Sequence, residues 1–177
     1  MQSPAELDAF WSRPDPWGFR THPDDQTRLV KLLAALPKSR YRRALDIGCG
    51  DGFIAEQLPA EFVTGIDLAQ GAINQARDRT PAGAKRVFYQ GSLFDFGNLI
   101  RGTYDLIIAS GILYSQYLGG ASVLAGQILA EQLAPGGDLV ISGVSGWLSV
   151  VPPLTLLHRE TYKYREFEHR LEIWRAC

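Results

Sequence analysis

The stretch Leu45-Asp46-Ile47-Gly48-Cys49-Gly50-Asp51-Gly52-Phe53 decides how this chain is read. A short apolar run, Arg43 to Ile47, carries an acid near its end and is stopped by Gly-x-Gly-x-Gly. Glycine tolerates the left-handed backbone of a tight turn, and its missing side chain lets a ligand touch the main chain. Nineteen residues after Gly48, Asp67 closes a second run, Phe62-Val63-Thr64-Gly65-Ile66-Asp67. An acid there can accept hydrogen bonds from both hydroxyls of a ribose lying over the end of the first strand. Acid, glycine turn and second acid at this spacing predict a nucleoside-cofactor site. A dinucleotide fingerprint would read Gly-x-Gly-x-x-Gly, whereas position 53 is Phe, and no Gly-x-x-x-x-Gly-Lys-Ser/Thr phosphate loop exists.

Outward from this turn, strand and helix patterns alternate. Upstream, Asp24 to Leu36 places Leu29, Val30, Leu32, Leu33 and Leu36 on one helical face, with Pro23 in its first turn and Pro37 ending it. Downstream, Phe53 to Leu58 predicts a short helix, Ala69 to Arg79 a longer one, and Arg86 to Gln90 a third strand. Tyr104 to Ala109 is apolar throughout, as a central parallel strand requires. Ala121 to Leu133 is a helix, Pro135-Gly136-Gly137 a turn and Asp138 to Ser142 a fifth strand. Gly143 to Leu157 is apolar and irregular, with a helical portion expected. Glu160 to Tyr164 and Arg170 to Arg175 alternate with period two, joined across 165–168 as a hairpin. The prediction is a three-layer α/β fold whose seven-stranded, mostly parallel sheet ends in an antiparallel pair. Residues 1–23 form an N-terminal arm, and 24–177 form the domain.

Composition narrows the function. The chain has 177 residues, 46% hydrophobic and 21% charged, the makeup of one globular domain. A net charge of −1 argues against a general nucleic-acid binder. Two cysteines cannot build a disulfide framework, and the three histidines form no zinc pattern with them, so no metal is expected. No apolar run approaches the roughly 18 residues of a membrane span. The start shows no signal-peptide pattern, so a soluble, cytoplasmic protein without membrane partners is expected.

The acid, the Gly-x-Gly-x-Gly turn, Asp67, Leu133-Ala134-Pro135-Gly136-Gly137 and the closing hairpin together resemble the class I S-adenosylmethionine-dependent methyltransferases. The resemblance covers residues 24–176 and implies their Rossmann-like fold. Asp15-Pro16-Trp17-Gly18 and Ser110-Gly111-Ile112-Leu113-Tyr114 are similar to the small N-methyltransferases around nodulation protein S, which act on a sugar amine. The resemblance implies that Gly48 and Gly50 lie against the methionine half of S-adenosylmethionine and that Asp46 orients its amino group. It sets Leu68 against the adenine, with Ser92 and Leu93 at the place where the family usually has an acid, or Asp95 in its stead. Ser110 is set near the methionine moiety. Cys49 is a packed, unreactive thiol.

Methyl transfer needs alignment, exclusion of water and, for an amine, an acceptor for its proton. The candidates are Tyr114, just past the fourth strand, and His22 in the arm. Trp11, Trp17 and Phe19 lie in the proline-rich arm, and Trp17 is expected to help close the cofactor cleft as a lid. The acceptor is read as an amine, a sugar amine included, or a hydroxyl of a small molecule, turned over by a monomer or homodimer. Two alternatives remain: a catalytically silent cofactor- or partner-binding domain of the same fold, and an NAD-dependent oxidoreductase.

Overall fold

The computed structural model describes residues 4–95 and 102–177. Seven strands form one sheet: β1 (Tyr41–Ile47), β2 (Ala60–Asp67), β3 (Arg86–Gln90), β4 (Tyr104–Ser110), β5 (Leu133–Val144), β6 (Thr155–Tyr164) and β7 (Phe167–Arg175). Their order is β3-β2-β1-β4-β5-β7-β6. The first five run parallel, and β7 lies antiparallel between β5 and β6. The helices are α1 (Pro4–Phe10), α2 (Pro23–Ala35), α3 (Gln70–Arg79), α4 (Ser115–Leu118) and α5 (Ser122–Glu131).

Two-residue alternation along the strands divides the core into two layers. Ala44, Leu106, Ile108, Val140, Leu171 and Ile173 face α2 and α3, where they meet Leu29, Leu32 and Ile73. Leu45, Ile107, Leu139, Ile141 and Trp174 face the other way, onto Ala125 and Leu129 of α5. Because paired residues share a face, Asp46, Asp67, Ser110, Ser142 and His169 all project to the α2 side at the carboxyl ends of the parallel strands. The sheet therefore gathers its polar residues where β1 and β4 connect outward to opposite sides, the usual ligand crevice of such folds.

Five expectations are corrected. No helix forms over Phe53–Leu58; a single turn closes through the Glu56 amide to the Gly52 carbonyl and the Gln57 amide to the Ile54 carbonyl. Six residues ahead of Pro59 do not repay helix nucleation, and the residue before a proline is itself biased away from helix. Pro135-Gly136-Gly137 lies within β5 as a bulge, where the register with β4 jumps from Tyr104–Leu133 to Leu106–Asp138. No helix occurs over 145–154; Leu148 instead bridges to Tyr114. On α2, Val30 is 65% exposed, and the buried stripe runs Asp25, Arg28, Leu29, Leu32. The hairpin is tighter than expected: Tyr164 pairs with Phe167, and Arg165 takes a left-handed φ of 52°.

Candidate active site

The site begins with the main chain. Gly48, Gly50 and Gly52 all have positive φ, so three left-handed residues swing the chain away from β1 within five positions. The amides of Gly48 and Cys49 both donate to the Ile66 carbonyl, at 2.8 and 3.0 Å, which fixes the turn to β2. A Cβ on Gly48 would collide with Ile112, and one on Gly50 would stand 3.1 Å from the indole of Trp11. The glycines thus make room for side chains that close over the turn. Cys49 is buried beside Gly65, and burial raises its thiol pKa well above the usual range, so it is not a nucleophile.

Asp67 bolts two elements together. One carboxylate oxygen accepts the Gly50 amide and the other the Ala69 amide ahead of α3, both at 2.9 Å. Each oxygen keeps a second lone pair for a ribose hydroxyl. Asp46 differs: it is 1% exposed, and its Oδ2 has no hydrogen-bond partner. Burial, then the charge of Asp67, pushes its carboxyl up to about 8, against the pull of Arg28 and the Ala55 amide. A buried acid with a free oxygen is the counterpart of a ligand's ammonium group.

Ser110 sits at the end of β4, and its hydroxyl accepts Arg28 Nη1 at 2.7 Å. Arg28 is buried, its Nη2 lies 3.2 Å from Asp25, and its Nε has no partner. Asp25 also receives the Tyr164 hydroxyl at 2.8 Å and Arg165 Nη2 at 2.7 Å. Leu68 is 44% exposed beside Asp67, available to a flat ring. Ser92 and Asp95 serve each other's turn: the Ser92 amide donates to Asp95, and the Ser92 hydroxyl accepts the Phe94 amide. Leu93 is spent on the core with Leu45, Ile47 and Ile66, so its side chain is not offered to a ligand.

The expected proton acceptors are otherwise engaged. The Tyr114 hydroxyl accepts the Val144 amide at 3.0 Å, its ring packs on Tyr117 and Trp147, and burial raises its pKa. With its pKa raised, the hydroxyl keeps its proton and is not a base. His22 caps α2, its Nδ1 accepting the Asp24 amide at 3.2 Å. Trp17 is 41% exposed between Phe10 and Phe19, whereas Trp11 is the indole against Gly50. The arm is anchored: Arg20 grips Glu56 with both terminal nitrogens and Asp51 of the glycine turn through Nε at 2.7 Å. Gln75 holds the carbonyls of Trp11 and Arg13.

Sequence reasoning did not place Arg20, Asp25, Arg28, Ser142 or His169 in the site, and among the arm's aromatics it singled out Trp17 rather than Trp11. One signal was present: Asp25 and Arg28 fall on the same helical stripe as Leu29 and Leu32, so two charges sit where apolar residues belong.

Strand order, the closing antiparallel hairpin and an acid-lined glycine turn define a Rossmann-like protein built to hold a nucleoside cofactor. The methyltransferase domain family matches residues 38–172, and the chain belongs to that family of class I S-adenosylmethionine-dependent enzymes. It is 34% identical over 132 residues to the trans-aconitate 2-methyltransferase of Paracidovorax citrulli, covering 72% of this chain and 48% of that protein. It is 32% identical over 133 residues to nodulation protein S of Rhizobium tropici, covering 71% of this chain and 53% of that one. The chain thus spans about half the length of these relatives. The N-methyltransferase NodS of Bradyrhizobium japonicum, solved with S-adenosyl-L-homocysteine, superimposes with a TM-score of 0.80 at 23% identity over 97% of both chains. Among the described residues no helix is long and apolar enough to cross a membrane.

Proposed function

We propose that this chain transfers the methyl group of S-adenosylmethionine to an amine or hydroxyl of a small molecule. The observation that carries the reading is the pair of unmatched buried groups flanking the glycine turn: Asp46 Oδ2 and Arg28 Nε. An acid and a guanidinium facing one crevice fit the ammonium and carboxylate of an amino-acid tail. Asp67 then takes the ribose, Leu68 the adenine face, and the Ser92–Asp95 turn the adenine edge. Ser110 orients Arg28, and Gly48 and Gly50 give the tail access to the main chain. Trp11 and Ile112 cover the turn and exclude water.

When bound, S-adenosylmethionine supplies an already activated methyl group, so the protein's task is alignment. Tyr114, with its hydroxyl proton free, walls the acceptor side; Trp17 packs between Phe10 and Phe19 in the anchored arm and helps hold that arm over the glycine turn. Relatives named for trans-aconitate and for nodulation support a small-molecule acceptor. A dinucleotide is disfavoured, because turns rather than a helix N-terminus follow Gly52. Calorimetry with S-adenosylhomocysteine and with NAD tests the cofactor: tight binding of the first and none of the second is expected. Release of S-adenosylhomocysteine over amino sugars, amines, phenols and carboxylates then identifies the acceptor and excludes a silent domain.

A further inference from the structure

Beyond the groups assigned to the cofactor, two buried polar atoms of the described residues make no close hydrogen bond on the same sheet face: His169 Nδ1, and Ser142 Oγ, which has the Tyr162 hydroxyl as a neighbour. Ser142 is in register with Ser110, one strand farther from the glycine turn. His169 belongs to the next strand, β7, two residues from the partner of Ser142 and so on the same side. Both residues are more than nine-tenths buried, at 1% and 4% exposure. The His169 ring is fixed between Tyr164, at 4.2 Å, and Tyr162, at 5.8 Å. We infer that Ser142 Oγ and His169 Nδ1 form the subsite that holds the methyl acceptor's own hydroxyl or uncharged amine, beside the cofactor's methionine end.

The ligand class follows from the groups around the pair. A buried polar atom without a close hydrogen bond is costly, and two of them side by side on the sheet face that carries Asp46 and Ser110 suit a polar partner that arrives from outside. Burial, reinforced by the nearby Arg28 charge, pushes His169 down to about 4, so the imidazole is neutral and offers a lone pair on one nitrogen. Ser142 both gives and takes a hydrogen bond. Alcohols, phenols and neutral amines match this pair, since they carry a proton and a lone pair on one atom. A carboxylate does not, because the nearest cations are committed: Arg28 to the cofactor tail and Ser110, and Arg165 to Asp25. The rings of Tyr162 and Tyr164 border the subsite and favour a ring-bearing or compact acceptor.

This inference rests on the methyltransferase reading, and the test separates the two. The protein with 15N-labelled histidine, saturated with S-adenosylhomocysteine, is titrated with glucosamine, catechol, glycerol, succinate and trans-aconitate at millimolar concentration. Only three histidines report, and His22 and His158 are internal controls. A hydroxyl or amine compound is expected to shift the His169 ring nitrogens and not those of His22. His169→Phe keeps the stacked ring and removes both nitrogens. It should leave the melting temperature unlowered and S-adenosylhomocysteine affinity within about twofold, while weakening the shifting compound about tenfold, the loss of one hydrogen bond. His169→Asn, whose amide reaches the place of Nδ1, should restore part of that affinity, and Ser142→Ala checks the pair should His169→Phe misfold. Cofactor binding with no response of His169 to any compound, a response to the carboxylates alone, or unchanged acceptor affinity in both variants would overturn the subsite. Failure of S-adenosylhomocysteine to bind would overturn the methyltransferase reading itself.

Discussion

The two halves of the cleft are built by different means. Over β1 and β2 the main chain does the work: three left-handed glycines, two amides on Ile66 and two on Asp67. Over β5, β7 and β6 side chains do it, as Arg28, Ser142, Tyr162, Tyr164 and His169 converge from elements far apart in sequence. A main-chain site depends on spacing and tolerates little change. A side-chain site can be rewritten one residue at a time, which lets one cofactor half serve many acceptors.

The sharpest way to break this comparison is Asp67→Ala. It removes the ribose acceptor and should weaken cofactor binding by about 2–4 kcal/mol. Because Asp67 also satisfies the Gly50 and Ala69 amides, stability should fall too, by about 1–2 kcal/mol. Calorimetry and denaturant unfolding read the two losses, and a loss of binding alone would mean that the turn stands without Asp67.

Next comes Asp46. With its carboxyl at about 8 in the free protein, it is largely neutral at pH 7 and must ionise to meet the cofactor's ammonium. Binding should release a proton, and affinity should rise as pH climbs towards 8. Titrations in two buffers of different ionisation heat measure that proton. Without cofactor the sign is reversed: the folded state holds a proton that the unfolded chain gives up, so stability falls as pH rises from about 4 to 8. Asp46→Asn should abolish that fall and raise the melting temperature near pH 8, while cofactor affinity drops about 100-fold.

A smaller effect is expected from Arg20→Ala. It leaves the buried Asp51 with Arg79 at 2.9 Å and frees the arm from the glycine turn. A stability loss of about 1–3 kcal/mol is expected, with faster hydrogen exchange over residues 10–22 and slower methyl transfer. The smallest concerns His22→Ala, which should cost about 1 kcal/mol as a lost cap and leave the rate of transfer unchanged. A large fall in that rate with unaltered stability would return His22 to catalysis.

The same division explains what could be read from the sequence. The succession of strands, the hairpin, the glycine turn and the place of Asp67 at the end of β2 were legible because each follows from local pattern and short spacing. The arm was not, since a segment with two prolines has no period to set which face points inward; it presents Trp11 to the cofactor turn rather than Trp17. Nor was the acceptor half. His169 looks like any strand residue until β5 and β6 are paired on either side of it, a relation between residues 142, 144, 162 and 169.

Asp25 has a consequence for how the chain comes to be folded. Its carboxylate is fully buried against Tyr164 and Arg165, 139 and 140 residues away, and Arg165 also holds the Trp17 carbonyl across 148 residues. On the ribosome, α2 emerges with its own Arg28 long before the hairpin that supplies the other two partners of Asp25. Until then Asp25 has only Arg28, and full burial of α2 on the sheet is expected to wait for Tyr164 and Arg165. Contacts spanning nearly the whole chain are also the slowest to close. Acquisition of cofactor affinity during synthesis should therefore wait for the β6–β7 turn, making ligand capture a marker of the final folding step rather than of the parallel sheet.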